Sequence, residues 1–152
     1  QDLFSTAAIT SFRLNGEFLA IAEELAAPAG LTAARWQVLG AVLTEPLSVA
    51  AIARAMGITR QSVQRVADLL VGDGLCEYRP NPAHRRAKLV AATEIGRAAV
   101  RQIDPQHAAI AHRLAEELGA EQFTAVVAAL TRLSTALTAI TDDERHNAPT
   151  TG

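Results

Sequence analysis

Apolar residues recur at helical intervals along most of this chain, broken in the middle by a short stretch that alternates. Phe4, Ile9, Phe12, Leu14, Phe18, Leu19, Ile21 and Leu25 predict a helix over residues 4–27, which Pro28 and Gly30 end. Thr32 is placed to cap a second helix, 32–43, with Trp36, Val38, Leu39 and Val42 facing inward. Two shorter helices follow, near 48–55 and 59–72. Residues 75–79 and 87–91 then alternate as two short strands around the turn NPAHRR. Thr93 caps a long helix that opens on Glu94 at its positive end and is expected to kink or break at Pro105. Phe123, Val126, Val127, Leu130, Leu133, Leu137 and Ile140 mark a last helix over 121–140. The polar segment 141–152 reads as a disordered tail.

The two short helices carry the most specific pattern. Ala53 lets a second helix approach closely, Gly57 can adopt a positive φ, and Val63 supplies a buried branched residue. Ser48 and Thr59 stand where N-caps are needed. Ile52, Met56, Ile58, Val63, Val66, Leu69 and Leu70 provide the apolar face. With the basic hairpin that follows, these features define a winged helix-turn-helix. That shape suits one helix in a DNA major groove and a loop against the neighbouring backbone.

Composition narrows the class. Of 152 residues 49% are hydrophobic but only 4% aromatic, which favours closely packed helices over a sandwich or barrel. The expected fold is mainly α with a small β-hairpin wing. Residues 1–140 form a single domain, with the winged unit over about 32–93 and long N- and C-terminal dimerisation helices over 4–27 and 93–140. These helices hold more apolar face than one small body needs, and the simplest outlet is a second copy of the chain. No apolar run is long enough for a bilayer and no leader is visible. One cysteine, Cys76, excludes an internal disulfide framework. The expectation is a soluble cytoplasmic protein.

The net charge of −2 is mildly unfavourable for nucleic acid, but its distribution is not. Between positions 54 and 88 stand seven basic residues (Arg54, Arg60, Arg65, Arg79, Arg85, Arg86, Lys88) and three acidic ones (Asp68, Asp73, Glu77), a local charge of +4. A basic segment on an acidic body is the footprint of a DNA-reading surface. Solvent-facing positions near the start of the second helix are Arg60, Gln61, Ser62, Gln64 and Arg65. Arginine pairs bidentately with guanine and glutamine with adenine, so Gln61, Gln64 and Arg65 are assigned to bases. Arg60 and Ser62 divide between base and phosphate, and Thr59 with the helix N-terminus suits phosphate. Arg85, Arg86 and Lys88 belong to the wing, with Arg86 the candidate for insertion into a narrow minor groove.

The chain resembles the MarR family of bacterial transcription regulators. The likeness runs from the leading helix through LTAARWQVL, the turn motif and GDGLCEYRPNPAHRRAKLVAAT to the two closing helices. Its most specific part is the wing, where the family pattern Asp-x-Arg, a strand ending Leu-Thr and an early helix glycine corresponds to His84, Arg86, Ala92, Thr93 and Gly96. Arg86 keeps the position that enters the minor groove in the family. His84 replaces the usual aspartate, which in relatives braces the wing arginine or the recognition helix. The resemblance implies a homodimeric repressor of a palindromic, inverted-repeat operator, released by a small aromatic or apolar effector or by oxidation. It also implies an effector pocket between the DNA-binding unit and the dimerisation helices, for which Phe12, Phe18, Trp36 and Phe123 are candidates, although core is the simpler role for them.

Other chemistry finds little support. Cys76 falls where an alternating apolar residue belongs, so a buried, inert thiol is expected rather than a redox sensor. His107 and His112 are five apart, which is wrong for two ligands on one helical face, and His112 with Glu116 reads as a solvated pair. No metal or cofactor is expected. No phosphate-binding glycine loop and no nucleophile constellation point to an enzyme. The alternative function is a winged-helix module that binds protein without specific DNA binding, which a surface this charged disfavours.

Overall fold

Asp2 starts the first helix earlier than the apolar pattern does. Its carboxylate accepts from the backbone N–H groups of Phe4 and Ser5 at 3.2 and 3.4 Å, and from the Ser5 hydroxyl at 3.0 Å. These bonds, the hydroxyl first, hold the Asp2 carboxyl below its ordinary pKa. The computed structural model describes residues 2–147. Helix α1 spans Leu3–Ala26 and α2 spans Ala33–Ala41. Between them come a 3-10 turn, Ala27–Ala29, and Gly30 at φ 74°. Strand β1 is Leu47–Ser48, followed at once by α3 (Val49–Met56) and then α4 (Arg60–Gly72). Strands β2 (Cys76–Arg79) and β3 (Leu89–Ala92) precede α5 (Glu94–Leu118) and α6 (Ala120–Asn147).

The described chain divides into two compact units at the His107–Ala108 boundary. In the first, Val38, Leu39, Val42, Ile52, Val63, Leu70, Val90 and Ile103 are almost fully buried and form the core. The glycine and the caps of the α3–α4 turn follow the sequence expectation. Gly57 takes φ 66°, Ala53 is buried, Ser48 Oγ accepts from Ala51 N at 3.2 Å, and Thr59 Oγ1 accepts from Ser62 N at 3.1 Å. Ile58 and Leu69, expected on the apolar face, are instead exposed, because the turn and the outer side of α4 carry them away from the core.

The sheet is three-stranded and antiparallel in the order β1-β3-β2. Leu47 pairs with Val90 and Ser48 with Leu89, so the hairpin of the wing gains a third strand that the sequence did not reveal. In β2 the side chains of Cys76 and Tyr78 turn inward while Glu77 and Arg79 face solvent. Strand β3 starts at Leu89 rather than near 87, which leaves Arg85, Arg86 and Lys88 in the loop.

The first turn of α5 is fastened to the body around it. Thr93 Oγ1 donates to Gly74 O at 2.6 Å and accepts from Gly96 N at 3.2 Å, and Arg97 Nη1 donates to Leu43 O at 2.6 Å. Arg35 and Asp73 pair at 2.8 Å, joining α2 to the end of α4.

Two expectations about the C-terminal helices are corrected. Helix α5 runs unbroken through Pro105. Proline removes one N–H from the ladder, yet helical bonding continues on both sides of it, with Val100 and Ile103 buried just before it. Helix α6 continues to Asn147, so residues 141–147 belong to a helix and not to a disordered tail; residues 148–152 of that expectation lie outside the described residues. Thr141 Oγ1 donates back to Thr138 O at 2.9 Å, and Arg145 lies 3.9 Å from Asp142 one turn earlier. Ala120–Asp143 is long and apolar enough by length and composition to cross a membrane. Alanines spaced among its valines and leucines raise its hydropathy, although its longest uninterrupted apolar run is only residues 125–130.

Both ends of the chain present apolar surface. Leu3, Phe4, Ile9, Phe12 and Phe18 of α1 are each more than half exposed, as are Val127 and Ile140 of α6.

Candidate nucleic-acid interface

Helix α4 and the wing loop form the two sides of a groove of about 610 Å³. Arg60, Gln61 and Gln64 line it from α4, Arg86 and Lys88 from the loop, and Asp68 and Tyr78 lie between them. Ser48, Val49 and Ala50 close it at the start of α3. A smaller depression of about 460 Å³ is lined by Tyr78, Arg79, Pro80, Asn81, Arg85 and Lys88. Arg85 and Arg86, adjacent in sequence, thus line different recesses, and Lys88 borders both.

The wing loop, residues 80–88, is shaped by its own backbone. Asn81 Oδ1 accepts from Ala83 N at 3.0 Å, an Asx turn, and His84 N and Ala87 N donate to Asn81 O and His84 O at 3.3 Å. At its base Arg79 pairs with Glu77 at 2.7 Å on the outer face of β2. Lys88 Nζ sits 5.6 Å from the centre of the Tyr78 ring. His84, which stands where the family's aspartate is expected, is exposed; within the loop Asn81 holds Ala83, and Tyr78 lies under Lys88.

Five of the nine residues assigned to DNA from the sequence meet in the larger groove: Arg60, Gln61, Gln64, Arg86 and Lys88. Arg85 lines the smaller depression, and Arg65 is exposed on α4 outside both. Thr59 and Ser62 are occupied with the helix N-terminus, for the Thr59 hydroxyl also donates to Ser62 Oγ at 2.9 Å. The side chains of Arg60, Gln61, Arg65, Arg85 and Arg86 have no hydrogen-bond or ion-pair partner among the described residues. Cations held at the surface without partners are available to a polyanion.

Sequence reasoning missed Asp68 and Tyr78. Gln64 Nε2 donates to Asp68 Oδ1 at 3.0 Å and to the Tyr78 hydroxyl at 2.9 Å, and that hydroxyl donates to the same carboxylate oxygen. Two signals were present: Gln64 and Asp68 are four apart on one helix, and Tyr78 shares the inward side of β2 with Cys76.

Cys76 is buried, and burial pushes its thiol up to about 11. At neutral pH it is a thiol and a poor nucleophile. A disulfide reagent should label it far more slowly in the native protein than in denaturant, and comparable rates would expose it as reactive. The raised pKa favours the folded state fully below pH 9, and that contribution is lost as pH rises from 9 toward 11, because only the unfolded thiol ionises there.

The four aromatics assigned to an effector pocket are distributed differently. Phe12 and Phe18 are exposed on α1 and are not part of the buried core. Trp36 is half-buried, edge-on to the ring of His107 at 5.7 Å. Phe123 belongs to the second unit, where it lines a shallow depression with Thr124, Val127 and Ala128. His112 and Glu116 lie 3.3 Å apart and exposed. Among the described residues no group of three or more His, Cys, Asp or Glu side chains gathers as a metal site would need.

Fold and groove together define a winged helix-turn-helix protein. Residues 29–87 match the sequence profile of the MarR family. An uncharacterized protein of Mycobacterium tuberculosis is 41% identical over 128 residues, 84% of this chain and 90% of that one. A MarR family transcriptional regulator from Streptomyces coelicolor has a similar structure, with a TM-score of 0.73 at 28% identity over 90% of this chain and 97% of its own. The transcriptional repressor CouR, bound to a 23-mer DNA duplex, matches with a TM-score of 0.72 at 28% identity over 82% and 89%. A mutant MarR from E. coli complexed with operator DNA shares the fold, with a TM-score of 0.74 at 23% identity over 88% and 99%. The chain belongs to the MarR family of transcription regulators.

Proposed function

We propose that this protein is a sequence-specific reader of double-stranded DNA, a homodimeric repressor of an inverted-repeat operator that a small aromatic or apolar effector releases. The observation that carries this is the groove between α4 and the wing, where Arg60, Gln61 and Arg86 face solvent without protein partners. Base edges in the major groove are reached from the start of α4, and Arg86 stands one loop away for the minor groove. Arg65 and Arg85 flank this arrangement and suit phosphates. The structural relatives bound to DNA support the same use of the fold.

The apolar faces of α1 and of α6 support homodimerisation. Phenylalanines exposed at residues 4, 12 and 18 are costly in a monomer and ordinary at an interface between copies. Those faces also offer the apolar surface against which an effector would bind.

Selection of bound duplexes from a random pool, at two salt concentrations, tests the proposal. The expected result is an inverted repeat with half-sites about 10 bp apart centre to centre. Weak binding without sequence preference that vanishes as salt rises would reduce the surface to generic electrostatic attraction and overturn it.

A further inference from the structure

The amide of Gln64 cannot present both of its ends to DNA. Its two N–H groups are directed to Asp68 Oδ1 and to the Tyr78 hydroxyl, at 3.0 and 2.9 Å. The orientation is dictated by chemistry. A carboxylate has only acceptors, so the amide nitrogen must face Asp68 and the carbonyl oxygen must face away. Tyr78 in turn donates its proton to Asp68. Burial first, and then Asp68, push the phenol up to about 12, so it stays protonated and remains a donor at neutral pH. Lys88 covers the Tyr78 ring from the wing side. Gln64, Asp68, Tyr78 and Lys88 all line the groove between α4 and the wing.

From this arrangement we infer that Gln64 reads DNA as an acceptor only, held in that role by Asp68 and Tyr78 as positioning residues, and so selects a base that offers a major-groove donor. Those donors are the N4 amino group of cytosine and the N6 amino group of adenine. Guanine offers only acceptors, and thymine an acceptor and a methyl group. An unrestrained glutamine grips adenine through both N6 and N7. The restrained one has no donor left for N7, which makes cytosine and adenine equivalent to it. The inference rests on the DNA-reading function proposed above.

The test is parallel selection from a random duplex pool with the wild-type chain and the variants Gln64→Ala, Asp68→Ala and Tyr78→Phe, each also followed by thermal melting. Gln64→Ala identifies the base pair whose preference it erases. At that position the wild type is expected to accept cytosine and adenine nearly equally and to disfavour guanine and thymine by roughly fivefold to tenfold. Substituting 7-deazaadenine for adenine there should leave wild-type affinity unchanged, since N7 is not used. Asp68→Ala frees an amide hydrogen, so adenine should gain on cytosine, and 7-deazaadenine should then bind less well than adenine.

A purely structural role for Asp68 would weaken all duplexes alike and leave the ranking of bases untouched, and that outcome overturns the inference. Tyr78→Phe removes a single hydroxyl and carries the same expectation if Asp68→Ala does not fold. An operator enriched by the wild type in which Gln64→Ala alters no base preference overturns the inference while leaving DNA reading intact. No enriched sequence from the wild type overturns both.

Discussion

Replacing Gly96 by alanine should cost about 3 kcal/mol and lower the melting temperature by on the order of 10 °C. A Cβ at this position would lie 2.1 Å from the Leu75 carbonyl oxygen and 3.1 Å from Leu39 Cδ1. The leucine side chain can yield a few tenths of an ångström. The carbonyl oxygen cannot turn aside, because it also accepts from Thr93 N at 3.1 Å, and Thr93 itself holds Gly74 O and Gly96 N. Relieving the clash therefore means moving α5 off the end of α4 and breaking those bonds together. Gly40→Ala is the control, since a Cβ there meets nothing within 4 Å and alanine is the better helix former by up to about 1 kcal/mol. Thermal melts of the two variants decide the matter. Equal melting temperatures would mean that α5 slides without penalty.

Arg86→Ala should weaken binding to the selected operator at least about fivefold, about 1–3 kcal/mol, with melting temperature and mass in solution unchanged. The side chain is exposed on a loop whose shape depends on Asn81, so its removal takes nothing from the fold. The loss should be greatest for operators with an A·T tract beneath the wing, where a narrow minor groove concentrates negative potential. Arg85→Ala, whose side chain lines the neighbouring depression, should instead weaken all duplexes alike and flatten the salt dependence by about one unit of slope. Fluorescence anisotropy against A·T and G·C flanked operators separates the two. A drop in melting temperature for Arg86→Ala would make the residue structural.

The helix-turn-helix was legible because several local rules converge on single residues. A glycine at 57 with positive φ and capping hydroxyls at 32, 48, 59 and 93 are each decided within four residues of chain. Strand β1 was not legible, for two residues have no period, and pairing with β3 is settled some forty residues away. Pro105 misled because local propensity predicts a break that continued helical bonding overrides. The segment after residue 140 misled in the other direction: polar composition was read as disorder, yet one-turn contacts extend α6 to Asn147. Of the site, the cationic side chains were readable one by one. The tie from Gln64 to Tyr78 spans fourteen residues and two elements, and only the folded chain brings it together. The excess of apolar face on α1 was visible in its spacing, whereas the outward direction of Phe12 and Phe18 depended on how small the core beneath them is.

Ser48 belongs to two structures at once. It pairs with Leu89 as the last residue of β1, and its hydroxyl caps the first turn of α3. The wing strands and the helix pair therefore share a residue, with no flexible joint between them. For a DNA reader this fixes the span between the helix that probes one groove and the loop that probes the next, as the jaws of a fixed gauge are set. One base pair inserted between the two contacts displaces the second by about 3.4 Å, and only the wing loop itself, residues 80–88, is placed to absorb the step. Tolerance within a half-site is then limited to the reach of that loop, and larger changes in operator length fall on the distance between half-sites.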